Sequence, residues 1–289
     1  MFALLIATMG FVTGNDVLID TATLEKTLAT TTIVDCRTAE AFAAGHVPGA
    51  TNLDAATMSE TRDGVKGMLK PVDVVTGMLM EVGIGMDKPV VVYGSMKGTS
   101  DLSAVTRMFW ILEVMGYQNV SLLDGGIEKW VSEKRAVEEG PTKVAPLSQL
   151  VTSFRRELLA EKADVVKAGG EGVLLLDNRS AEQFEGKGKE EYIANAGHIP
   201  GAVNLPAGQC VDDSKKTMKS WGELQTIMKN AGGGADQKLI TYCNSGRSAS
   251  IGYFVARSLG YKHVRLYDGS MAEWGNDAAL PVESEAAAK

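Results

Sequence analysis

The stretch Leu239-Ile240-Thr241-Tyr242-Cys243-Asn244-Ser245-Gly246-Arg247-Ser248-Ala249 places a cysteine where a short apolar run meets a polar, glycine-containing loop. A thiol attacks as its thiolate, and the thiolate is favoured where the N–H groups of a curled loop converge with a helix N-terminus. The run before Cys243 has strand character, and Ile251, Phe254, Val255 and Leu259 after it mark one apolar face of a helix. A lone cysteine at a strand end is ordinarily a small buried hydrophobe. Asn244, Ser245, Gly246, Arg247 and Ser248 are poor core residues, however, so this thiol opens into a polar loop. Cys243 is therefore the candidate nucleophile, the loop from Asn244 to Ser248 the candidate anion cradle, and Arg247 the charge within it.

The elements that must position this loop come in duplicate. Ile33-Val34-Asp35-Cys36-Arg37-Thr38-Ala39-Glu40-Ala41-Phe42 is echoed by Leu175-Leu176-Asp177-Asn178-Arg179-Ser180-Ala181-Glu182-Gln183-Phe184. Gly45-His46-Val47-Pro48-Gly49-Ala50 returns as Gly197-His198-Ile199-Pro200-Gly201-Ala202, and Leu123-Asp124-Gly125 as Tyr267-Asp268-Gly269, each half closing on a tryptophan, Trp130 or Trp274. Short Val/Ile/Leu runs such as Val90 to Val92 and Val173 to Leu176 read as parallel strands buried on both faces. Helical patterns, among them Val105 to Met115 and Ser248 to Leu259, alternate with them, which predicts an α/β fold with helices on both sides of a sheet.

A chain of 289 residues has the length of about two domains. The charge and proline content of Glu138 to Pro146 reads as a linker, giving a first domain over 17–137, a linker over 138–152 and a second domain over 153–284, with a frayed tail beyond Glu283. Within an N-terminal segment over 1–16, Phe2 to Val12 form an apolar run; its length suits the core of an export signal and is too short to span a bilayer, although no Lys or Arg precedes it. Export is favoured over an N-terminal element packed on the body. A net charge of -7 argues against nucleic-acid binding, so attraction for a small anion must be built locally. Three cysteines without C-x-x-C spacing and three scattered histidines predict neither a disulfide framework nor a metal site.

The paired D-x-R-x-x-x-x-F, G-H-[IV]-P-G-A-x-N and D-G-x-x-x-x-W signatures, with a cysteine at the strand-to-loop position of the second half, resemble the tandem rhodanese-like sulfurtransferases over residues 17 to 284. The resemblance implies a five-stranded parallel sheet in each half and a single active site in the second. It also implies a sulfane sulfur taken by Cys243 from thiosulfate or a mercapto acid such as 3-mercaptopyruvate, held as a persulfide and passed to cyanide or a thiol. No metal or organic cofactor is implied. Opposite Tyr242-Cys243 the first half has Tyr93-Gly94, which carries no nucleophile. Relatives of this type often place two basic residues after the cysteine, and many have an arginine where this chain has Gln183, which leaves Arg247 as the candidate donor cation and the choice of donor open.

The remaining signature residues read as structural. Asp177 and Arg179 recur as Asp35 and Arg37 in the half that has Gly94 opposite Cys243, which points to an Asp-Arg pair supporting the loop at each strand end. His46 and His198 read as turn residues, Trp130 and Trp274 as core or interface anchors, Cys36 and Cys210 as structural thiols, and Lys187 and Lys189 as solvated surface. Two other functions were weighed. Phosphatase or arsenate chemistry needs an arginine at the sixth position after the cysteine, which here is Ala249. A sulfur-carrier or protein-docking module without turnover is the alternative that the cysteine alone does not separate from an enzyme.

Overall fold

The computed structural model describes residues 17–284, so the expectations for residues 1–16 and for the tail beyond Ser284 fall outside the described residues. In chain order the strands are β1 (Leu18–Ile19), β2 (Thr32–Asp35), β3 (Thr51–Asn52), β4 (Ser59–Arg62), β5 (Val65–Leu69), β6 (Val90–Tyr93) and β7 (Val120–Leu123) in the first half. The second half contributes β8 (Leu159–Ala160), β9 (Leu174–Asp177), β10 (Val203–Asn204), β11 (Val211–Asp212), β12 (Thr217–Met218), β13 (Leu239–Tyr242) and β14 (Val264–Tyr267). Two five-stranded sheets result, ordered β1-β7-β6-β2-β3 and β10-β9-β13-β14-β8. Read from the opposite edge, the second order is that of the first. All pairings within them are parallel, Val34 beside Val92 in one and Leu176 beside Thr241 in the other.

The central strands are covered on both faces. Every residue of β6 and of β13 is buried, which is why both read as unbroken apolar runs rather than as alternating ones. The expected strands and helices lie within a residue or so of the observed β6 and β9 and the observed helix Ala249–Ser258; the helix expected from Val105 begins a turn and a half earlier, at Thr99. Each half adds one antiparallel hairpin, β4 with β5 and β11 with β12.

The halves are joined by two central helices. Twelve of the 16 residues of helix Thr99–Val114 are buried, as are nine of the ten in Ala249–Ser258, so both are enclosed all round rather than amphipathic. They pack on each other: Phe109 meets Phe254 edge to face with centroids 5.0 Å apart, and the Thr106 and Ser250 hydroxyls lie 2.7 Å apart. Further along, Glu113 accepts from the Tyr253 hydroxyl at 2.7 Å and from Arg257 at 2.8 Å. One buried cluster consequently runs through both halves. Trp130 and Trp274 do not sit at this seam; each belongs to the core of its own half, donating to the carbonyls of Ala136 and Pro281.

Candidate active site

Ligand sites of open parallel sheets form at the carboxyl ends of the strands, and β13 ends at Tyr242. Cys243 follows at once, with 2% of its surface exposed. The loop then turns at Gly246, whose φ of +75° lies in the left-handed region. A Cβ on Gly246 would sit 2.9 Å from Asp268 Oδ1 and 3.0 Å from Arg107 Nη1, so glycine is required for space as well as conformation.

The curl of the loop is held by Ser270, whose hydroxyl oxygen accepts from the N–H of Cys243 at 3.1 Å and from that of Gly246 at 3.0 Å. The Cys243 carbonyl accepts from the Met271 N–H at 3.0 Å and the Asn244 carbonyl from Ala272 at 2.8 Å. Ser270 sits at φ +49°, a costly conformation for a residue with a Cβ. The N–H groups of Asn244, Ser245, Arg247 and Ser248 find no acceptor among the described residues. Helix Ala249–Ser258 follows with no side-chain cap on its first turn. Unclaimed donors in front of a helix N-terminus form a concavity suited to an anion or a thiolate.

The expected site residues are distributed around this loop. Asn244 donates through Nδ2 to Gln183 Oε1 at 3.2 Å and lies 3.5 Å from Glu190 Oε1, while Gln183 Nε2 donates to the same carboxylate at 3.2 Å. The Tyr192 phenol stands beside the Ser245 side chain. Burial pushes that phenol above its ordinary value, opposed by Ser245 and reinforced by Glu190 and Cys243. Arg247 is exposed, and its guanidinium donates to the Ser100 carbonyl at 3.4 Å. Its contacts among the described residues do not include Cys243, Asn244, Ser245 or Tyr192.

Asp177 and Arg179 stand one strand away. Arg179 is bound through Nε and Nη2 to the Asp177 carboxylate at 2.9 and 2.5 Å, and Nη2 also donates to the Gly197 carbonyl at 2.7 Å. Asp35, Arg37 and Gly45 repeat the arrangement in the first half. The two histidines are a matched pair as well: His46 and His198 stack on Phe42 and Phe184, with Nδ1 2.9 and 2.8 Å from those residues' carbonyls. Cys36 and Cys210 are buried, and burial raises both thiols, Cys210 to about 12 and Cys36 well above its ordinary value with help from Asp35. Lys189 donates to the Ile193 carbonyl at 2.6 Å.

Residues of the first half complete the site. Asp268 accepts from Arg107 at 2.6 Å and from the Leu69 N–H at 2.7 Å, and Arg107 also donates to the Gly67 carbonyl at 3.1 Å. The Arg107 guanidinium lies over the Trp110 ring, 4.4 Å from its centroid. The β4–β5 hairpin is thereby seated on the cysteine loop so tightly that a Cβ on Gly67 would approach the Ser245 carbonyl oxygen to 2.5 Å. Sequence reasoning missed Ser270, Arg107, Asp268, Tyr192, Glu190 and the hairpin. One signal was present: Ser270 stands where the repeat has Gly126.

Known proteins resemble this chain in sequence and fold. The family profile of the rhodanese-like domain matches residues 20–133 and again 159–277. The 3-mercaptopyruvate sulfurtransferase of Escherichia coli (strain K12) is 31% identical over 251 residues, covering 86% of this chain and 87% of that protein. The thiosulfate sulfurtransferase of Azotobacter vinelandii is 28% identical over 258 residues, covering 87% and 90%. The crystal structure of the 3-mercaptopyruvate sulfotransferase SseA from Escherichia coli superposes with a TM-score of 0.77 at 26% identity, covering 88% of this chain and 98% of that one. Two matched domains, a shared sheet order and relatives of this kind over most of its length make the chain a member of the rhodanese-like family, a sulfurtransferase built from a tandem pair of domains.

Proposed function

We propose that Cys243 carries the transferred sulfur as a persulfide, with the N–H groups from Asn244 to Ser248 as its anion cradle and Asp177 and Arg179 as support for the adjoining strand ends. The observation that carries this reading is the placement of a thiol at the end of β13, in front of an uncapped helix and among N–H groups without acceptors. The thiolate attacks the outer sulfur of thiosulfate; a new S–S bond forms, the old one breaks, and its electron pair leaves with sulfite. With a mercapto acid such as 3-mercaptopyruvate the broken bond is C–S, and the carbon that keeps the pair takes a proton. Cyanide or a thiol then attacks the outer sulfur of the persulfide and the Cys243 thiolate departs. This double displacement needs neither metal nor organic cofactor, and its kinetics are ping-pong. The division of labour follows the boundaries set out above, with the catalytic domain over 153–284 and the non-catalytic one over 17–137.

The test is intact-protein mass spectrometry after incubation with thiosulfate and, separately, with 3-mercaptopyruvate. Wild-type protein is expected to gain one sulfur atom and lose it on addition of cyanide, and Cys243→Ser is expected to gain none. A folded, reduced wild-type protein that stays unmodified with both donors overturns the reading and leaves a docking module in its place.

A further inference from the structure

Resting on that reading of Cys243, we propose that Lys66, on the hairpin of the first half, binds the anionic end of the sulfur donor above the active-site loop of the second. The hairpin is fixed where this matters. Gly67 touches Ser245, the Gly67 carbonyl accepts from Arg107, and the Leu69 N–H is spent on Asp268, so the backbone on the C-terminal side of Lys66 is anchored to the site. The Lys66 ammonium lies over the ring of Tyr192, 4.5 Å from its centroid. Tyr192 stands beside Ser245, in the cysteine loop, and Gly67, next to Lys66 in the chain, packs on the same serine. Ammonium, aromatic face and loop therefore lie together at the boundary between the halves.

The charges around the loop leave this ammonium to an incoming anion. Lys66 is exposed and forms no ion pair among the described residues, and an aromatic face orients a cation without neutralising it. Glu190 places a carboxylate against Asn244 and Gln183, so the wall where an arginine clamp is absent repels anions instead of holding them. Arg247, also exposed, directs its Nη2 to the Ser100 carbonyl of the first half, so a donor anion held by Lys66 is flanked by a second cation. A sulfonate or a carboxylate that bears the transferable sulfur is thus steered towards Lys66 and away from the Glu190 wall. A lysine, as a compact charge without a fixed fork, accepts either geometry.

Steady-state kinetics of the full-length protein test the assignment, with thiosulfate and 3-mercaptopyruvate titrated separately and cyanide saturating. Lys66→Ala is expected to raise the donor concentration for half-maximal rate about tenfold while the maximal rate stays within about twofold, and Lys66→Arg to restore most of the loss. Added salt is expected to weaken the wild type and to leave Lys66→Ala nearly unaffected. A rise with one donor alone identifies the anion that Lys66 selects. Half-saturation unchanged for both donors, or a loss confined to the maximal rate, overturns the proposal. Wild-type protein that forms no Cys243 persulfide sinks both this inference and the reading beneath it, whereas a normal persulfide with an indifferent Lys66 sinks this one alone. Because Lys66 is exposed, its variants are expected to keep the wild-type melting temperature, which is measured alongside.

Discussion

The two halves carry a loop at the end of the equivalent strand and treat it in opposite ways. In the second half a serine gathers the loop and leaves four N–H groups without acceptors. In the first, Glu128 fills the corresponding space: its carboxylate accepts from the Met96 N–H at 2.9 Å and from the Ser95 hydroxyl at 2.9 Å, and Met96 is buried beneath. Counted from the shared Asp-Gly, Glu128 stands where the second half has Ala272, and Gly126 where it has Ser270. On the proposed reading, the absence of a cysteine opposite Cys243 is therefore only part of what distinguishes the first half. Its loop is already occupied by a carboxylate of its own, and a Cβ on Gly94 would meet Val105 Cγ2 at 2.8 Å, so a cysteine placed there meets a crowded site.

The largest effect is expected where the halves depend on each other. Arg107→Met leaves Asp268 buried without its cation and releases Gly67 from the hairpin; the cost is about 3–5 kcal/mol. Calorimetry should show it as a melting temperature about 10 °C lower, with a broadened or split transition. The equivalent aspartate, Asp124, is served within its own half by Lys129 at 3.2 Å, and Lys129→Met is expected to cost less than about 1 kcal/mol. Equal losses for the two substitutions would remove the asymmetry argued here.

A smaller effect is expected at Ser270. Ser270→Gly copies the first half's solution, relieves a positive φ and removes the acceptor shared by two N–H groups. Turnover should fall about tenfold while thermal stability changes by less than about 1 kcal/mol, because relief of strain offsets the lost hydrogen bonds. Turnover unchanged in Ser270→Gly would mean that the backbone holds the loop alone.

The smallest effect separates the three thiols. Cys210, raised by burial to about 12 from an ordinary 9.0, is held as the neutral thiol by the folded state. The stability that this contributes is complete below about pH 9 and is lost as pH rises towards 12. Between pH 8 and pH 10 the loss from this group is about 1 kcal/mol. Denaturant titrations should show a shallower decline for Cys210→Ala than for wild type over that range, and identical slopes would refute the assignment.

Much of this molecule was legible in the sequence because its fold rests on local signals repeated twice. Buried strands, the Asp-Arg bracket, the Gly-His turn and the loop around Cys243 all show themselves within a few residues. What joins the halves does not. Arg107 and Asp268 meet across a long stretch of chain, as do Lys66 and Tyr192, and neither pair carries a spacing that announces its partner. Arg107 moreover lies within an apolar helix, where it reads as an interruption until its carboxylate is placed beside it. Ser270 was legible in principle, since the repeat sets it against a glycine, but a serine with positive φ shows its cost only once the backbone is known.

Cys243 lies almost wholly out of solvent, and the hairpin pressed against its loop belongs to the other half of the chain. On the proposed reading, a sulfur atom carried there is shielded from stray thiols and oxidants by the same packing that buries the cysteine. The storage time of the loaded protein is then set by access to the sulfur as much as by the strength of the sulfur–sulfur bond.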